Sequence, residues 1–142
     1  GLGDVYKRQV SKIADKRTIR EVDHYSVLTE ASGSFETGQT FANYNINVKT
    51  KNPAAYLNAI SEYQALAQAN GYEDITLEAY QINTGDYTGQ MMVVIQGPTP
   101  QRLGAFLDSR NESWGQSLTN QIQKLRYLKR GFIMNCEVNY AR

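Results

Sequence analysis

The sequence predicts an α+β domain in which a four-stranded antiparallel sheet carries two helices on one face. Residues 41–140 contain the order strand, helix, strand, strand, helix, strand. Apolar side chains alternate with polar ones in four segments, and they recur every three or four residues in two others. Each predicted helix begins at a polar residue followed by proline, at Asn52-Pro53 and at Thr99-Pro100. Such pairs are typical of helix starts, because the polar side chain accepts a hydrogen bond from a free amide and proline fits the first helical position.

The first strand of this domain, Phe41 to Lys49, shows the strictest alternation. One side carries apolar residues and the other carries polar residues: Ala42, Tyr44, Ile46 and Val48 against Asn43, Asn45, Asn47 and Lys49. A period of two predicts a strand with one face toward a core. The helix that follows is predicted to end at Asn70-Gly71, since glycine adopts the left-handed conformation common at helix ends.

The second half of the domain repeats this scheme. Strands are predicted over residues 75–83 and 90–96, joined by a hairpin turn that contains Gly85 and Gly89. The second helix is predicted in two pieces and is expected to continue to Gly131. Basic side chains near its end suit the negative pole of the helix: Lys124, Arg126, Lys129 and Arg130. The last strand is predicted to start at Phe132 and to reach Tyr140.

The chain before this domain divides into two ranges. Residues 1–9 resemble translated sequencing-adapter sequence, so we expect a non-native tail. Residues 10–34 predict a basic helix end and a strand, Thr18 to Leu28, and they echo residues 122–130. Two interpretations stay open: a remnant of a preceding repeat, or an extra N-terminal strand that pairs with the sheet of the main domain, residues 35–142. No initiator Met or signal peptide is present, so we expect a fragment, a mature form or an edited sequence.

Composition argues against several partners. The 15 basic and 14 acidic side chains leave a net charge of +1, which gives no general attraction to nucleic acid. No apolar run approaches the ~20 residues of a membrane span. One histidine, His24, and one cysteine, Cys136, cannot supply the usual zinc ligands or an intrachain disulfide. We therefore expect no metal, no cofactor, no nucleic acid and no membrane partner, while the compartment stays open.

The order of elements resembles the ferredoxin-like fold. The length of about 100 residues and the split second helix resemble the dimeric α+β barrel superfamily, which includes antibiotic-biosynthesis monooxygenases. Asn52-Pro53-Ala54-Ala55-Tyr56 is similar to the opening of the first helix in some members. The resemblance implies the spatial strand order last, first, third, second, with an extra N-terminal strand beside them. It also implies a homodimer, whereas the echo of residues 122–130 in the N-terminal range makes a tandem-repeat neighbour the alternative partner.

This strand order predicts a polar sheet face. The first and last strands would be neighbours, and their polar sides would join: Asn43, Asn45, Asn47, Asn135, Glu137 and Asn139. The apolar sides would pack under the helices: Tyr44, Ile46, Val48, Met134, Cys136 and Val138. Three interpretations stay open: the face is solvated, it binds a polar ligand or partner, or it forms a hydrogen-bonded dimer seam.

No motif for catalysis emerges, which favours a non-catalytic binding or assembly module, as one unit of a tandem array. The alternative is a small cofactor-independent, monooxygenase-like enzyme that acts on an aromatic small molecule between sheet and helices. The ligand-binding candidates for such a pocket are Tyr44, Asn45, Tyr56, Tyr80, Phe106 and Trp114. The same aromatic side chains, with Tyr63, also fit a plain core.

Overall fold

The structure is a computed structural model, and it describes residues 22–29 and 35–141. The predicted tail over residues 1–9, and the predicted repeat remnant apart from residues 22–29, lie outside the described residues. Among these, the five strands are β1 (Tyr25–Val27), β2 (Thr40–Lys49), β3 (Thr76–Ile82), β4 (Met91–Gly97) and β5 (Tyr127–Glu137). The three helices are α1 (Pro53–Ala69), α2 (Pro100–Ser109) and α3 (Ser113–Leu125).

The strands form one antiparallel sheet in the order β1-β3-β4-β2-β5. Without β1, this order is the predicted one: last, first, third, second. It is the ferredoxin-like arrangement, and the extra strand pairs at the far edge beside β3. The α+β fold class and the added N-terminal strand are therefore confirmed, although β1 is shorter than the predicted segment Thr18 to Leu28.

The helices begin where the sequence places them. The side-chain oxygen of Asn52 accepts a hydrogen bond from the amide of Ala55 at 3.1 Å, and Thr99 accepts one from the amide of Arg102 at 3.1 Å. After α1, Gly71 has a φ of +86°, the left-handed conformation that favours glycine. The second helix is split as predicted, because the chain turns between Ser109 and Ser113.

All three helices pack on one face of the sheet, which we call the covered face. Its strand residues form the core with apolar residues of the helices: Ala42, Ile46, Val48, Leu77, Ala79, Met91, Val93 and Ile95 meet Tyr56, Ile60, Tyr63, Leu103, Phe106, Leu118 and Ile122. None of the described helices lies on the other face, which we call the helix-free face. Burial of apolar area on the covered face is the main stabilising contribution of the fold.

The end of the second helix was predicted wrongly. The helix α3 ends at Leu125 and β5 begins at Tyr127, so Lys129, Arg130 and Gly131 lie in a strand. Gly131 lies over Tyr44, where an added Cβ would come within 2.8 Å of the Tyr44 hydroxyl. The glycine leaves room for the ring of Tyr44 and does not cap a helix.

The strand β5 carries an irregularity beside β2. Asn47 pairs with Arg130 and Val48 pairs with Leu128, so Lys129 is an extra residue in a β-bulge. At the other end, the pairing continues past Glu137. The amide of Val138 donates to the carbonyl of Gln39 at 2.9 Å, and the amide of Gly38 donates to that of Val138 at 2.7 Å.

Candidate functional site

On the helix-free face, directly paired residues form three lines that run across the strands β3, β4, β2 and β5. The first line is Thr76, Gln96, Asn43 and Met134; the second is Glu78, Val94, Asn45 and Phe132; the third is Tyr80, Met92, Asn47 and Arg130. Directly paired residues of antiparallel strands project from the same face, with Cβ atoms about 5 Å apart. The middle of this face is therefore a line of three asparagines on β2, which we call the asparagine row.

The asparagine row holds amide atoms that have no hydrogen-bond partner. Asn45 is 2% exposed and Asn47 is 4% exposed. The buried atoms Oδ1 of Asn43, Nδ2 of Asn45 and Oδ1 of Asn47 lack a partner. A buried polar atom left unpaired costs about 1–3 kcal/mol. The row is therefore a destabilising feature of the ligand-free fold, and it lies beside apolar neighbours, Val94 and Phe132.

A cationic group borders the row on the β5 side. The guanidinium of Arg130 lies 4.6 Å from the ring centroid of Phe132, and it donates a hydrogen bond to the Tyr87 hydroxyl at 3.2 Å. Tyr87 belongs to the hairpin between β3 and β4 and Phe132 belongs to β5, so a loop and a strand together hold the Arg130 side chain beside Asn47. An oriented guanidinium is the group best suited to bind a carboxylate.

An acidic pair borders the row on the β3 side. The Tyr80 hydroxyl donates a hydrogen bond to Oε2 of Glu78. Burial, together with the hydrogen bond and the charge of Glu78, raises the pKa of Tyr80 to about 12. Tyr80 therefore stays protonated at neutral pH, and the face carries negative charge at β3 and positive charge at β5.

The predicted polar face is corrected by the strand register. Asn135 pairs with Ala42 and therefore lies on the side of the covered face, whereas Asn43 pairs with Met134. Asn135, Glu137 and Asn139 are exposed, and the structure does not bring them together with the asparagine row. Met134 and Cys136 lie on the helix-free face and not under the helices. A solvated row is also wrong for Asn45 and Asn47, which are buried.

The six predicted ligand-binding residues do not form one site. Tyr44 lies on the covered face, while Asn45 and Tyr80 lie on the helix-free face. Tyr56 is completely buried, and its hydroxyl accepts a hydrogen bond from Arg126 at 3.2 Å. Its burial raises its pKa, and the charge of Arg126 opposes this.

The remaining aromatic candidates pack against other rings. Phe106 is completely buried with its ring centroid 5.7 Å from that of Tyr63, and Trp114 stacks on Tyr63 at 6.2 Å. Tyr72 joins the cluster at 5.2 Å from Phe106. These side chains form the core between helices and sheet.

Two surface clefts lie away from the asparagine row. One, of about 380 Å³, is lined by Thr40, Phe41, Pro98, Thr99, Pro100, Asn135, Cys136 and Glu137. The other, of about 600 Å³, is lined by Ala55, Ser117, Asn120, Gln121, Lys124 and Leu125. Within residues 22–29 and 35–141, His, Cys, Asp and Glu form no group that could hold a metal ion. No helix in the same part of the chain has the length and hydropathy needed to cross a membrane.

Sequence reasoning missed Arg130, Phe132 and Tyr87 as parts of this site. The sequence predicts Arg130 at a helix end, Phe132 as the first residue of the last strand, and Tyr87 within the hairpin turn between Gly85 and Gly89. The sequence does contain a signal for Arg130. Tyr127 and Leu128 precede it, so apolar and basic side chains mix in this segment, and an edge strand tolerates such a mixture.

No family model matches the chain, and no curated protein sequence matches it. Solved structures with a similar shape include a conserved protein of unknown function from Bacteroides thetaiotaomicron, named a possible oxidoreductase. It is 16% identical, with a TM-score of 0.41 over 70% of this chain and 98% of that one. Another is a dimeric protein of unknown function with a ferredoxin-like fold from Bacteroides fragilis, 6% identical, with a TM-score of 0.42 over 72% and 99%. At this level of similarity, neither bears on the function of this chain.

Proposed function

We infer that the protein is a non-catalytic binding module whose asparagine row holds a short extended peptide or a peptide-like molecule with a free carboxylate. One observation carries this inference: three neighbouring side chains on one strand face keep buried amide atoms without partners. Because these atoms are almost inaccessible, a ligand supplies the missing hydrogen bonds only when the neighbouring side chains that cover the asparagine row move aside.

The spacing of the row supports a peptide as ligand. Alternate residues of a strand lie about 6.7 Å apart, so the row spans roughly 13 Å from Asn43 to Asn47. An extended peptide has the same repeat along its own backbone, and about four residues cover this length. Its amide groups offer both donors and acceptors, as the unpaired Oδ1 and Nδ2 atoms require.

The charges beside the row support the carboxylate. Arg130 lies next to Asn47 and is oriented by Phe132 and Tyr87. A guanidinium in this position binds a peptide C-terminus through two parallel hydrogen bonds. The acidic pair of Glu78 and Tyr80 on the opposite side disfavours a carboxylate there, and this sets the direction of the ligand.

Nuclear magnetic resonance of the side-chain amide groups tests this function. The probe is a set of tetrapeptides with free C-termini, together with the same peptides amidated. We expect the free peptides to shift the Asn45 amide signals, and we expect Asn45→Leu and Arg130→Gln each to weaken binding by at least tenfold. Asn135→Leu is the matched control, because Asn135 is an exposed asparagine off the row. Unchanged spectra, or equal affinity in Asn45→Leu, would overturn the proposal.

The alternative of an aromatic-substrate enzyme has no observation in its favour. Its pocket requires open space beside Tyr56 and Phe106, and both side chains are 0% exposed. The tandem array stays a prediction.

A further inference from the structure

The two edges of the sheet differ greatly. At one edge, β1 has three residues; at the other, β5 has eleven residues, and nine of them are exposed. Large apolar side chains on both faces of β5 are open to solvent: Tyr127 is 62% exposed, Leu128 59%, Ile133 61% and Met134 41%. A long apolar edge strand offers a row of free backbone groups for pairing with another strand.

We propose that β5 pairs with β5 of a second copy of this chain, antiparallel about a two-fold axis at Ile133, so that two five-stranded sheets join into one. Ile133 then faces the partner's Ile133, and Phe132 faces the partner's Met134 on the helix-free face. Ile133, Phe132 and Met134 thus each gain an apolar partner across the two-fold axis, as a self-complementary interface requires.

Charge complementarity fixes this register. With the axis at Ile133, Lys129 lies opposite the partner's Glu137, and the symmetry creates this ion pair twice. An axis at Phe132 instead places Arg130 opposite Met134, and an axis at Met134 places Ile133 opposite Asn135. Only the axis at Ile133 combines opposite charges with matched apolar pairs among these three registers.

The oligomeric state of the full chain tests this interface. We expect light scattering after size-exclusion chromatography to show a dimer, and Ile133→Lys to show a monomer because it places two ammonium groups at the axis. Val27→Lys is the matched control, since Val27 is 59% exposed on the opposite edge strand, and this variant should stay dimeric. A monomeric parent chain at high concentration, or a dimeric Ile133→Lys, overturns the proposal.

Charge reversal tests the register and does not depend on the folding of Ile133→Lys. We expect Lys129→Glu to raise the dimer dissociation constant at least tenfold, and the added Glu137→Lys to restore it. Failure of the double variant to recover affinity contradicts this register.

Cysteine cross-linking gives a second test of the register. In a Cys136→Ser background, Ile133→Cys should form a covalent dimer on oxidation. Leu128→Cys should not, because its own copies would be ten residues apart along the paired strands, about 33 Å. Equal cross-linking of both variants would show a different arrangement.

Discussion

The two faces of the strand β2 are equally buried and chemically opposite. Ile46 is 3% exposed on the covered face, and its neighbour Asn45 is 2% exposed on the helix-free face. Ile46 contributes transfer free energy to the core, whereas Asn45 leaves an amide nitrogen without a partner. Burial alone therefore does not indicate stabilisation. The covered face stabilises the fold, whereas the buried amides of the helix-free face lower the free energy of unfolding.

Truncation of a buried side chain on the covered face should have the largest effect on the free energy of unfolding. Phe106 is completely buried and contacts the rings of Tyr63 and Tyr72. Phe106→Ala should lower the free energy of unfolding by about 3–5 kcal/mol, because it leaves a cavity that the rigid rings cannot fill. Urea denaturation measures this value. Phe35→Ala is the control, since Phe35 is 40% exposed, and it should cost far less. Equal losses would show that the covered face is not the main core.

The same kind of change on the helix-free face should act in the opposite direction. Asn45→Leu keeps the branching and the number of side-chain heavy atoms and removes a buried amide nitrogen without a partner, so it should raise the free energy of unfolding by about 1–3 kcal/mol. Asn135→Leu, at an exposed position, should change it by no more than about 0.5 kcal/mol. If Asn45→Leu instead destabilises the protein, the Asn45 amide is paired in solution and the contrast between the faces fails.

The covered face was predictable from sequence because its signals are local. Strict alternation in residues 41–49 and the helical spacing of Tyr56, Ile60 and Tyr63 each identify a buried side without knowledge of the neighbours. The asparagine row was predictable for the same reason, as the polar side of one strand. The prediction therefore succeeded where one element carried all the information.

The composition of the helix-free face was not predictable in full because it depends on register. The strand β5 lies at an edge and is exposed on both faces, so its own alternation does not reveal which side meets Asn43. The bulge at Lys129 further shifts the pairing. Gly131 was predicted to end a helix, and only its position in β5 beside Tyr44 reveals that it serves a strand instead.

A titration at the border of the helix-free face gives a smaller effect that appears only in alkali. The folded-state pKa of Tyr80, about 12, lies above the ordinary value of about 10. The protonated hydroxyl therefore contributes its full stability below about pH 10, and this contribution is lost as the pH rises through the folded-state pKa. Above about pH 10, the free energy of unfolding of Tyr80→Phe should therefore decline less steeply with pH than that of the parent chain. Urea denaturation at a series of pH values measures both. Parallel plots of the free energy of unfolding against pH would contradict this assignment.

A titration at the border of the covered face should give the smallest effect, at the acid end of the scale. Arg102 donates hydrogen bonds to both carboxylate oxygens of Asp74, each at 2.8 Å, and lies 4.5 Å above the ring centroid of Tyr72. These hydrogen bonds lower the pKa of Asp74, so their contribution is present above its ordinary value of about 3.9 and is lost as the pH falls through the folded-state pKa.

Asp74→Asn should therefore differ from the parent chain at neutral pH and converge with it in acid. The difference should be slight, because the side chains of Arg102 and Asp74 are 35% and 42% exposed and water screens the pair. High salt should reduce it further. Acid denaturation followed by circular dichroism, at low and at high salt, measures the difference. A gap that is large and independent of salt would mean that Asp74 supports the aromatic cluster through Arg102 and Tyr72, and the covered face would then extend to its charged border.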